Sequence, residues 1–402
     1  MADDDIDAWR ERARRFIRDE LLPLEREWGL HVPGEPPRLR YETRITREQA
    51  QQIWRRSAAT GLYAATLPRA LGGPGLSVHD TCLLKMEVAE SGAMNFGHVL
   101  GDLGGPPRAG SIMRFATPAQ NERFFTPVLR GERACCFAMT EPQSGSDALS
   151  IRTSAVRDGS HYVLNGHKHY ISATPFADFA IVLCVTDPTR GADGISALLV
   201  DLDAEGVEVT GDYRPMHGLY IDEDIVFRNV RVPVENVLGA AGQGFRIGMA
   251  RVSTNRLLHT PSILGVAKAS YRLALDYAQK RQQFGGPIAR FQAIQHMLAD
   301  MATDLFACEA MMLEAARRID AGAEGRVESS MCKVFIAEKC FAVADRAVQI
   351  HGNVGVTKDH PVEWAFRMLR VWRINSGTSE IQRNTIAKGL LEAAAAPSGR
   401  AT

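Results

Sequence analysis

The sequence lacks an excess of charge of either sign. Lys and Arg together number 47 in 402 residues, and so do Asp and Glu, which leaves no overall field to attract nucleic acid or an acidic membrane surface. The sequence also lacks an apolar run of the roughly 20 residues that a membrane span needs. We therefore expect neither a nucleic acid partner nor a membrane span.

The cysteines of the sequence also lack the spacing of a known type of site. They show neither the CxxC spacing of metal and redox sites nor the density of a secreted disulfide scaffold. We therefore expect buried free thiols and no metal site. The chain opens on acidic residues, Asp3 to Asp5, where a targeting segment has a basic region followed by an apolar one. Together these features favour a cytoplasmic protein. The seven cysteines are Cys82, Cys135, Cys136, Cys184, Cys308, Cys332 and Cys340.

The apolar residues, 45% of the chain, change their spacing twice along it. In the first third they recur at steps of three and four residues, which predicts helices. These helices are expected over residues 6–28, 46–60, 78–91 and 118–129. Short β-branched runs such as 179–185 then predict strands, and Asn165-Gly166 is a strong signal for a two-residue hairpin turn.

Beyond residue 244 the helical spacing returns and persists. It predicts long helices over 261–284, 289–321 and 329–350, and long helices joined by short loops imply a bundle. We therefore expect an α+β protein with an N-terminal helical domain, a middle antiparallel β domain and a C-terminal four-helix bundle. The expected domain limits are 1–133, 134–243 and 244–402.

Five segments carry residues suited to a site. Phe137 to Asp147 predicts a strand that enters a Gly/Ser loop, whose amides and hydroxyls can hold an anion or the polar edge of a ring. Alone this signal is weak, because many surface turns look similar. The other segments are Asn165-Gly-His-Lys-His-Tyr-Ile-Ser172, Arg281-Gln-Gln-Phe-Gly285 with Phe291-Gln292, Gln349-Ile-His-Gly-Asn-Val-Gly355, and Ser376-Gly-Thr-Ser-Glu-Ile-Gln-Arg383.

In this order, the five segments resemble the signatures of the acyl-CoA dehydrogenase family, and the resemblance covers nearly the whole chain. It implies FAD as cofactor and an acyl-CoA-type substrate. It also implies a homodimer or homotetramer, because the segments near 281 and 349 serve the partner subunit's FAD in relatives. An electron-transferring flavoprotein is a candidate electron partner.

The resemblance implies the FAD contacts of this chain. Tyr170 and Ser172 replace a tryptophan and a threonine of the family, and they keep an aromatic face and a hydroxyl donor. Asn353 replaces a glycine, and asparagine tolerates the left-handed backbone. The implied cofactor residues are Phe137, Met139, Thr140, Gly145, Ser146, Tyr170, Ser172, Arg281, Phe284, Gln292, Gln349, Gly352, Asn353, Thr378 and Glu380.

The family carboxylate that removes the substrate α-proton is missing. Ser376 stands at its usual position, and Asn255 stands at the position that some relatives use instead. A serine has no useful basicity unless a neighbour activates it. The substrate contacts that the resemblance implies, Ser146, Arg256 and Gly377, are nevertheless present.

Four hypotheses follow from the missing carboxylate. The first is an acyl-CoA oxidoreductase with a relocated base, for which Asp102 and His98 are weak candidates. The second is a reaction that needs no protein base, such as enoyl reduction or loss of a leaving group like sulfinate, with Arg108 a candidate contact for an anionic acyl end. The others are a flavin monooxygenase or oxidase on a substrate without CoA, and a non-catalytic partner subunit.

Overall fold

The structure, a computed structural model, describes residues 5–32, 38–39, 45–103, 112–211, 213–358 and 360–395. The chain packs as two compact units. Unit 1 comprises Met1–Leu30, Arg40–Leu76 and Ala93–Thr254, and unit 2 comprises His31–Leu39, Ser77–Gly92 and Asn255–Thr402.

The helices follow the predicted pattern closely. Turns of π-helix, Ile17–Leu21 and Asn121–Phe125, join α1 to α2 and α5 to α6, so each pair is one continuous helical segment. The helices are α1 (Ile6–Phe16), α2 (Leu22–Glu27), α3 (Arg47–Ala59), α4 (Val78–Glu90), α5 (Pro118–Gln120), α6 (Thr126–Leu129), α7 (Gly244–Leu258), α8 (Thr260–Lys280), α9 (Gln292–Asp320), α10 (Arg326–His351), α11 (Pro361–Val371) and α12 (Ser379–Ala395).

Unit 1 contains a seven-stranded sheet. Strands β4, β5, β9 and β8 pair antiparallel in that order, and β6 pairs antiparallel with β7. The strands of the whole chain are β1 (His31–Val32), β2 (Arg38–Leu39), β3 (Cys135–Ala138), β4 (Ser154–Asp158), β5 (His161–Ser172), β6 (Phe179–Val185), β7 (Ile195–Asp201), β8 (Val207–Thr210), β9 (Asp222–Pro233), β10 (Gln282–Gln283) and β11 (Gly286–Pro287).

The middle strands have apolar residues on both faces. In β6, Phe179, Ile181 and Leu183 belong to one buried cluster, and the alternate residues belong to another on the opposite face. Side chains of a strand point alternately to the two faces, so a strand covered on both sides shows a continuous apolar run. Two pairings differ from the antiparallel prediction, because β3 and β4 both run parallel to β6.

The hairpin turn predicted at Asn165-Gly166 is wrong, because β5 passes through both residues as one strand. The pairing of β5 with β9 shifts register between Leu164 and Gly166. A Cβ added at Gly166 would lie 2.3 Å from Thr153 Oγ1. The glycine therefore allows a close approach at a β-bulge, and the hairpin turn lies at 159–160, between β4 and β5.

A buried ion pair holds the end of β3 against β5. Lys168 Nζ donates to Glu141 Oε1 at 2.7 Å and to the Met139 carbonyl at 2.9 Å, and both charged side chains are at most 2% exposed. Glu141 also accepts hydrogen bonds from the backbone N–H groups of Arg152 and Thr153. Burial opposes the ionisation of Glu141, but Lys168 and these donors outweigh it and lower the pKa of the carboxyl to about 2.

We expect Glu141→Gln to lower the free energy of unfolding by about 3 kcal/mol, because it leaves Lys168 buried without its counter-charge. Asp158→Asn is the matched control, since Asp158 pairs with Arg231 at an exposed site of the same sheet and should cost under about 1 kcal/mol. Urea unfolding at saturating FAD measures both. Equal losses for the two variants would contradict the role of the buried pair.

The Glu141 pKa also predicts an acid dependence. The folded pKa of about 2 lies below the ordinary value of 4.5, so the stabilisation is complete above pH 4.5. It is lost as the pH falls from 4.5 towards 2. The free energy of unfolding of Glu141→Gln should lack this part of the acid dependence, and urea unfolding over this pH range measures it.

Unit 2 is a helical bundle in which α10 packs against α8, α9, α11 and α12. Helix α4, which precedes the sheet in the sequence, packs on α8 and α9 in this unit. A Cβ added at Gly265 on α8 would lie 2.6 Å from the Met86 carbonyl oxygen on α4, so the two helices approach closely. The division into two units differs from the three predicted domains, whose limits remain a prediction.

One of the C-terminal helices ends earlier than expected. The helix predicted over 261–284 ends at Lys280, and the short hairpin of β10 and β11 follows it. Phe284 and Gly285 at the hairpin tip both have positive φ, which no helix tolerates. Helix α12 extends to Ala395, and residues 396–402 lie outside the described residues.

The prediction of buried free thiols is confirmed, since all seven cysteines are free and buried. Burial raises the pKa of both Cys135 and Cys136 to about 12. Within the described part of the chain, no helix combines the length and the apolar character that crossing a membrane requires.

Candidate active site

Ser376 lies in a tight turn between α11 and α12 in unit 2. Its φ is +57° and that of the following Gly377 is +90°, so two successive residues are left-handed. This conformation costs a residue with a side chain about 1 kcal/mol. A Cβ added at Gly377 would lie 2.7 Å from Gln382 Nε2, which explains the glycine.

Buried donors hold the backbone of this turn. Lys333 Nζ donates to the Gly377 carbonyl at 2.7 Å, and Gln382 Nε2 donates at 3.1 Å to the carbonyls of both Ser376 and Gly377. Lys333 and Gln382 are fully buried. Within the described residues, the Gly377 N–H has no hydrogen-bond partner. The turn therefore presents one serine hydroxyl and one available amide side by side.

The Ser376 hydroxyl pairs with a histidine that the sequence analysis did not identify. Ser376 Oγ lies 2.8 Å from His259 Nε2. His259 lies between α7 and α8, is 8% exposed, and packs its ring on Trp372 with centroids 4.8 Å apart. It follows Asn255 by four residues, one helical turn, and that spacing was the available signal.

Two cations lie near the turn. Burial lowers the pKa of Lys333 to about 8, and the charge of Arg256 acts in the same direction. Burial and the charge of Arg326 lower the pKa of Arg256. Arg256 Nε is buried without a hydrogen-bond partner among the described residues. The cluster therefore carries positive charge and has a donor available for an anion or a carbonyl oxygen.

The other candidate bases have different surroundings. His98 is buried in unit 1, where Trp54 Nε1 donates to its Nδ1 at 3.0 Å and burial lowers its pKa to about 4. These are the contacts of a core histidine, and we propose no proton transfer at His98. Asp102 lies half-buried in a nearby turn. Arg108 and the side chain of Asn255 lie outside the described residues.

Tyr170 belongs to a polar network in unit 1. It is 56% exposed with φ +52°, and its ring lies 3.5 Å from the His169 ring and 4.8 Å from the Tyr213 ring, between centroids. Asp224 anchors the network, since it lies 2.6 Å from His167 Nε2 and 2.9 Å from His169 Nδ1 and accepts from Tyr213 Oη at 2.8 Å.

Charge fixes the roles in this network. Burial opposes the ionisation of Asp224, but the bonds from His167, Tyr213 and His169 lower its pKa. Burial and Asp224 raise the pKa of Tyr213 to about 12, so its hydroxyl stays a donor at neutral pH. The ligand atoms of His167, His169 and Asp224 lie within 4.8 Å of one another, as in some metal sites. Here each of the two histidines hydrogen-bonds to Asp224.

The other implied flavin contacts of unit 1 lie at the same end of the sheet. Thr140 accepts a hydrogen bond from the His169 backbone N–H at 3.0 Å, which ties the two segments together. Ser172 is exposed, and its hydroxyl donates to Asp222 Oδ1 at 2.5 Å instead of pointing free into solvent. Phe137 packs under the Arg251 guanidinium, and Met139 is half-buried, whereas Gly145 and Ser146 are exposed in the loop that follows.

The implied FAD contacts of unit 2 are mostly exposed. Phe284 at the β10–β11 hairpin is 85% exposed, and Arg281 and Gln292 flank it, also exposed. An aromatic ring displayed in this way suits a contact outside its own unit.

The loop after α10 is exposed at Gln349, Gly352 and Asn353. The left-handed position of this loop is Gly352, with φ +60° and ψ −136°, so Asn353 does not need the left-handed backbone that asparagine tolerates. Glycine alone adopts that region readily. Thr378 accepts from the Ile381 backbone N–H and Glu380 is exposed, both at the start of α12.

These residues fit FAD in each unit. Unit 1 offers an exposed aromatic face and hydroxyl groups, which suit a flavin ring. Unit 2 offers an arginine, an exposed phenylalanine and a glycine turn with nothing within 4 Å of an added Cβ, which suit a diphosphate and an adenine.

Comparison with known protein families matches three consecutive parts of the chain. The N-terminal, middle and C-terminal domains of acyl-CoA dehydrogenase match residues 3–132, 136–230 and 242–391. The chain belongs to the acyl-CoA dehydrogenase family. The predicted α+β fold is confirmed, and the protein is an FAD-dependent oxidoreductase.

Individual relatives agree over nearly the full length. A 3-(aryl)acrylate reductase of Clostridium sporogenes is 35% identical over 95% of this chain and 97% of its own. The caffeyl-CoA reductase-Etf complex subunit CarC of Acetobacterium woodii is 36% identical over 86% of this chain and 91% of its own. An acyl-CoA dehydrogenase of Bacillus anthracis, solved in complex with FAD, is 29% identical with a TM-score of 0.83 and covers 97% of this chain and 67% of its own.

We expect Asp224→Asn to weaken FAD binding at least about tenfold, because charge-assisted hydrogen bonds worth about 2 kcal/mol hold the network behind Tyr170. Flavin fluorescence titration of the apoprotein measures the Kd. Tyr213→Phe, which keeps the ring contact and loses one hydroxyl, should weaken binding less. An unchanged Kd in Asp224→Asn would show that the network does not position the cofactor site.

Proposed function

We propose that this protein interconverts an acyl-CoA and its α,β-unsaturated counterpart, and that the α-proton is exchanged at Ser376 instead of at a carboxylate. The observation that carries the proposal is the 376–377 turn. It keeps an available amide beside a side chain that points to the family's base position, and that side chain is a hydroxyl bonded to an imidazole. Bound FAD supplies the electron pair, exchanging a hydride with the substrate Cβ.

The residues of this turn have distinct tasks in the proposal. The Gly377 N–H donates to the thioester carbonyl, which stabilises the negative charge that develops on that oxygen as the α-proton moves. Lys333 and Gln382 keep this amide in place through the neighbouring carbonyls. The half-buried Arg256 adds positive charge to the same cluster.

Reduction of the unsaturated thioester is the direction that we favour. Two relatives that match over most of the chain are named reductases, one of 3-(aryl)acrylates and one of caffeyl-CoA. The second of these relatives is named as part of a complex with Etf, and we propose an electron-transferring flavoprotein as the electron partner here.

The exposed contacts of unit 2 support a shared cofactor. Phe284, Arg281 and Gly352 display groups suited to FAD on the surface of their own unit. We propose that they complete the FAD site of a second copy, which requires a homodimer or a homotetramer. The seven free thiols support a reducing compartment such as the cytoplasm.

An anaerobic titration of the purified yellow protein tests the reaction. Crotonyl-CoA and cinnamoyl-CoA are added to the dithionite-reduced protein, and the matching saturated thioesters are added to the oxidised protein. We expect the flavin to be reoxidised by an unsaturated thioester faster than it is bleached by the saturated one, because two relatives of this chain are named reductases. Visible absorption gives the rates, and mass spectrometry identifies the products.

Each result decides between hypotheses. If saturated thioesters bleach the oxidised flavin but unsaturated thioesters do not reoxidise the reduced flavin, the protein is a dehydrogenase and the favoured direction is wrong. A product that has lost a substituent would replace the proposal by an elimination. No reaction with any thioester would overturn it, and oxygen consumption with non-CoA substrates would then be measured to test the oxygenase hypothesis.

A further inference from the structure

We propose that His259 is the proton donor and acceptor behind Ser376, so that the two side chains together replace the missing carboxylate. This inference rests on the proposed function. It assigns the proton to a residue that lies at neither base position of the family.

The geometry of the pair suits proton transfer. Ser376 Oγ and His259 Nε2 are 2.8 Å apart, a normal distance for a hydrogen bond between a hydroxyl and an imidazole. A serine alone cannot store a proton near neutral pH, whereas an imidazole changes charge in that range. A hydroxyl activated by an adjacent histidine is a recurring arrangement in enzymes.

Both partners are held in place. His259 lies at the junction of α7 and α8, where its ring packs on Trp372. Ser376 is fixed by the left-handed backbone and by the donors to its carbonyl and to that of Gly377. The hydroxyl therefore meets the imidazole without having to order a mobile side chain.

The step balances in both directions. In reduction, the N–H bond of protonated His259 breaks as its proton passes to Ser376 Oγ. The O–H bond of Ser376 breaks as its proton bonds to the substrate Cα, and the hydride that bonds to Cβ would be supplied by the reduced flavin. The C=C bond becomes a C–C single bond, and His259 is left neutral. In oxidation each transfer runs backwards, and solvent restores the starting protonation of His259.

Lys333 is another titratable group close to the turn. Its pKa of about 8 would allow proton exchange. However, its Nζ donates to the Gly377 carbonyl, so it is directed at the backbone and not at the Ser376 hydroxyl. His259 is the group in hydrogen-bond contact with that hydroxyl.

The test separates proton transfer from electron transfer. Methylthioacetyl-CoA and phenylthioacetyl-CoA carry sulfur at the β-position and so cannot give up a hydride, but their α-protons can exchange with D₂O. The holoenzyme is incubated with each probe, and mass spectrometry follows deuterium uptake. We expect His259→Gln, which can still bond to Ser376 but cannot hold a proton, to slow the exchange by about 10²- to 10⁴-fold. The Kd of each probe should stay within about threefold.

Two variants serve as controls. His79→Gln replaces another histidine of unit 2, at the start of α4, and should exchange at the wild-type rate. The double variant Ser376→Glu with His259→Gln places a carboxylate at the family position and should recover the exchange. Such recovery would not occur if His259→Gln acted by disturbing the fold, which flavin retention and the thermal unfolding midpoint also check.

The outcomes distinguish the inference from the proposed function. Exchange in His259→Gln within threefold of wild type would overturn the inference and leave the function in place. The same conclusion follows if the wild type reacts with acyl- or enoyl-CoAs but exchanges no α-proton. If the wild type neither binds nor converts any CoA thioester, both the inference and the proposed function are wrong. A loss in His259→Gln that Ser376→Glu reverses would support the inference.

Discussion

The buried ion pair of Glu141 and Lys168 is the interaction on which the flavin-facing end of unit 1 depends. Each partner belongs to a different signature segment, and neither charge has access to water. Two buried charges are tolerated only as a fully bonded pair, so the end of β3 and the middle of β5 must keep one relative position. Thr140 adjoins one partner, and Tyr170 follows the other by two residues. The pair therefore fixes the surface that the family signatures place against the flavin.

Most of the fold could be predicted from apolar spacing, because long amphipathic helices and doubly buried strands leave strong patterns. The main error occurred at a glycine, because a glycine can mark either a turn or a close backbone approach. At Asn165-Gly166 the local signal for a turn was strong, yet Gly166 is there because β5 passes close to Thr153. In the loop after α10, the positive φ is at Gly352 and not at Asn353, the residue that replaces a family glycine. Backbone proximity to a neighbouring segment cannot be seen in a local pattern.

The candidate site could be predicted only in part for a similar reason. The resemblance to the family predicted the turn at Ser376, a substrate contact at Arg256 and the absence of a carboxylate. The resemblance did not identify His259, because His259 lies 117 residues from Ser376 and belongs to no signature. Its contact with the hydroxyl depends on how the junction of α7 and α8 packs against the segment that contains Trp372. That information is tertiary, and only the folded structure contains it.

The backbone of the Ser376 turn is held by Lys333 and Gln382 through carbonyl groups alone. None of these bonds involves the side chain at position 376, and the left-handed strain is nearly the same for a serine and for a glutamate. Evolution can therefore exchange the side chain at position 376 without rebuilding the amide that we propose to polarise the thioester. The acid–base group of this scaffold can therefore change by a point mutation at position 376, and the reaction can change with it while the backbone of the turn stays the same.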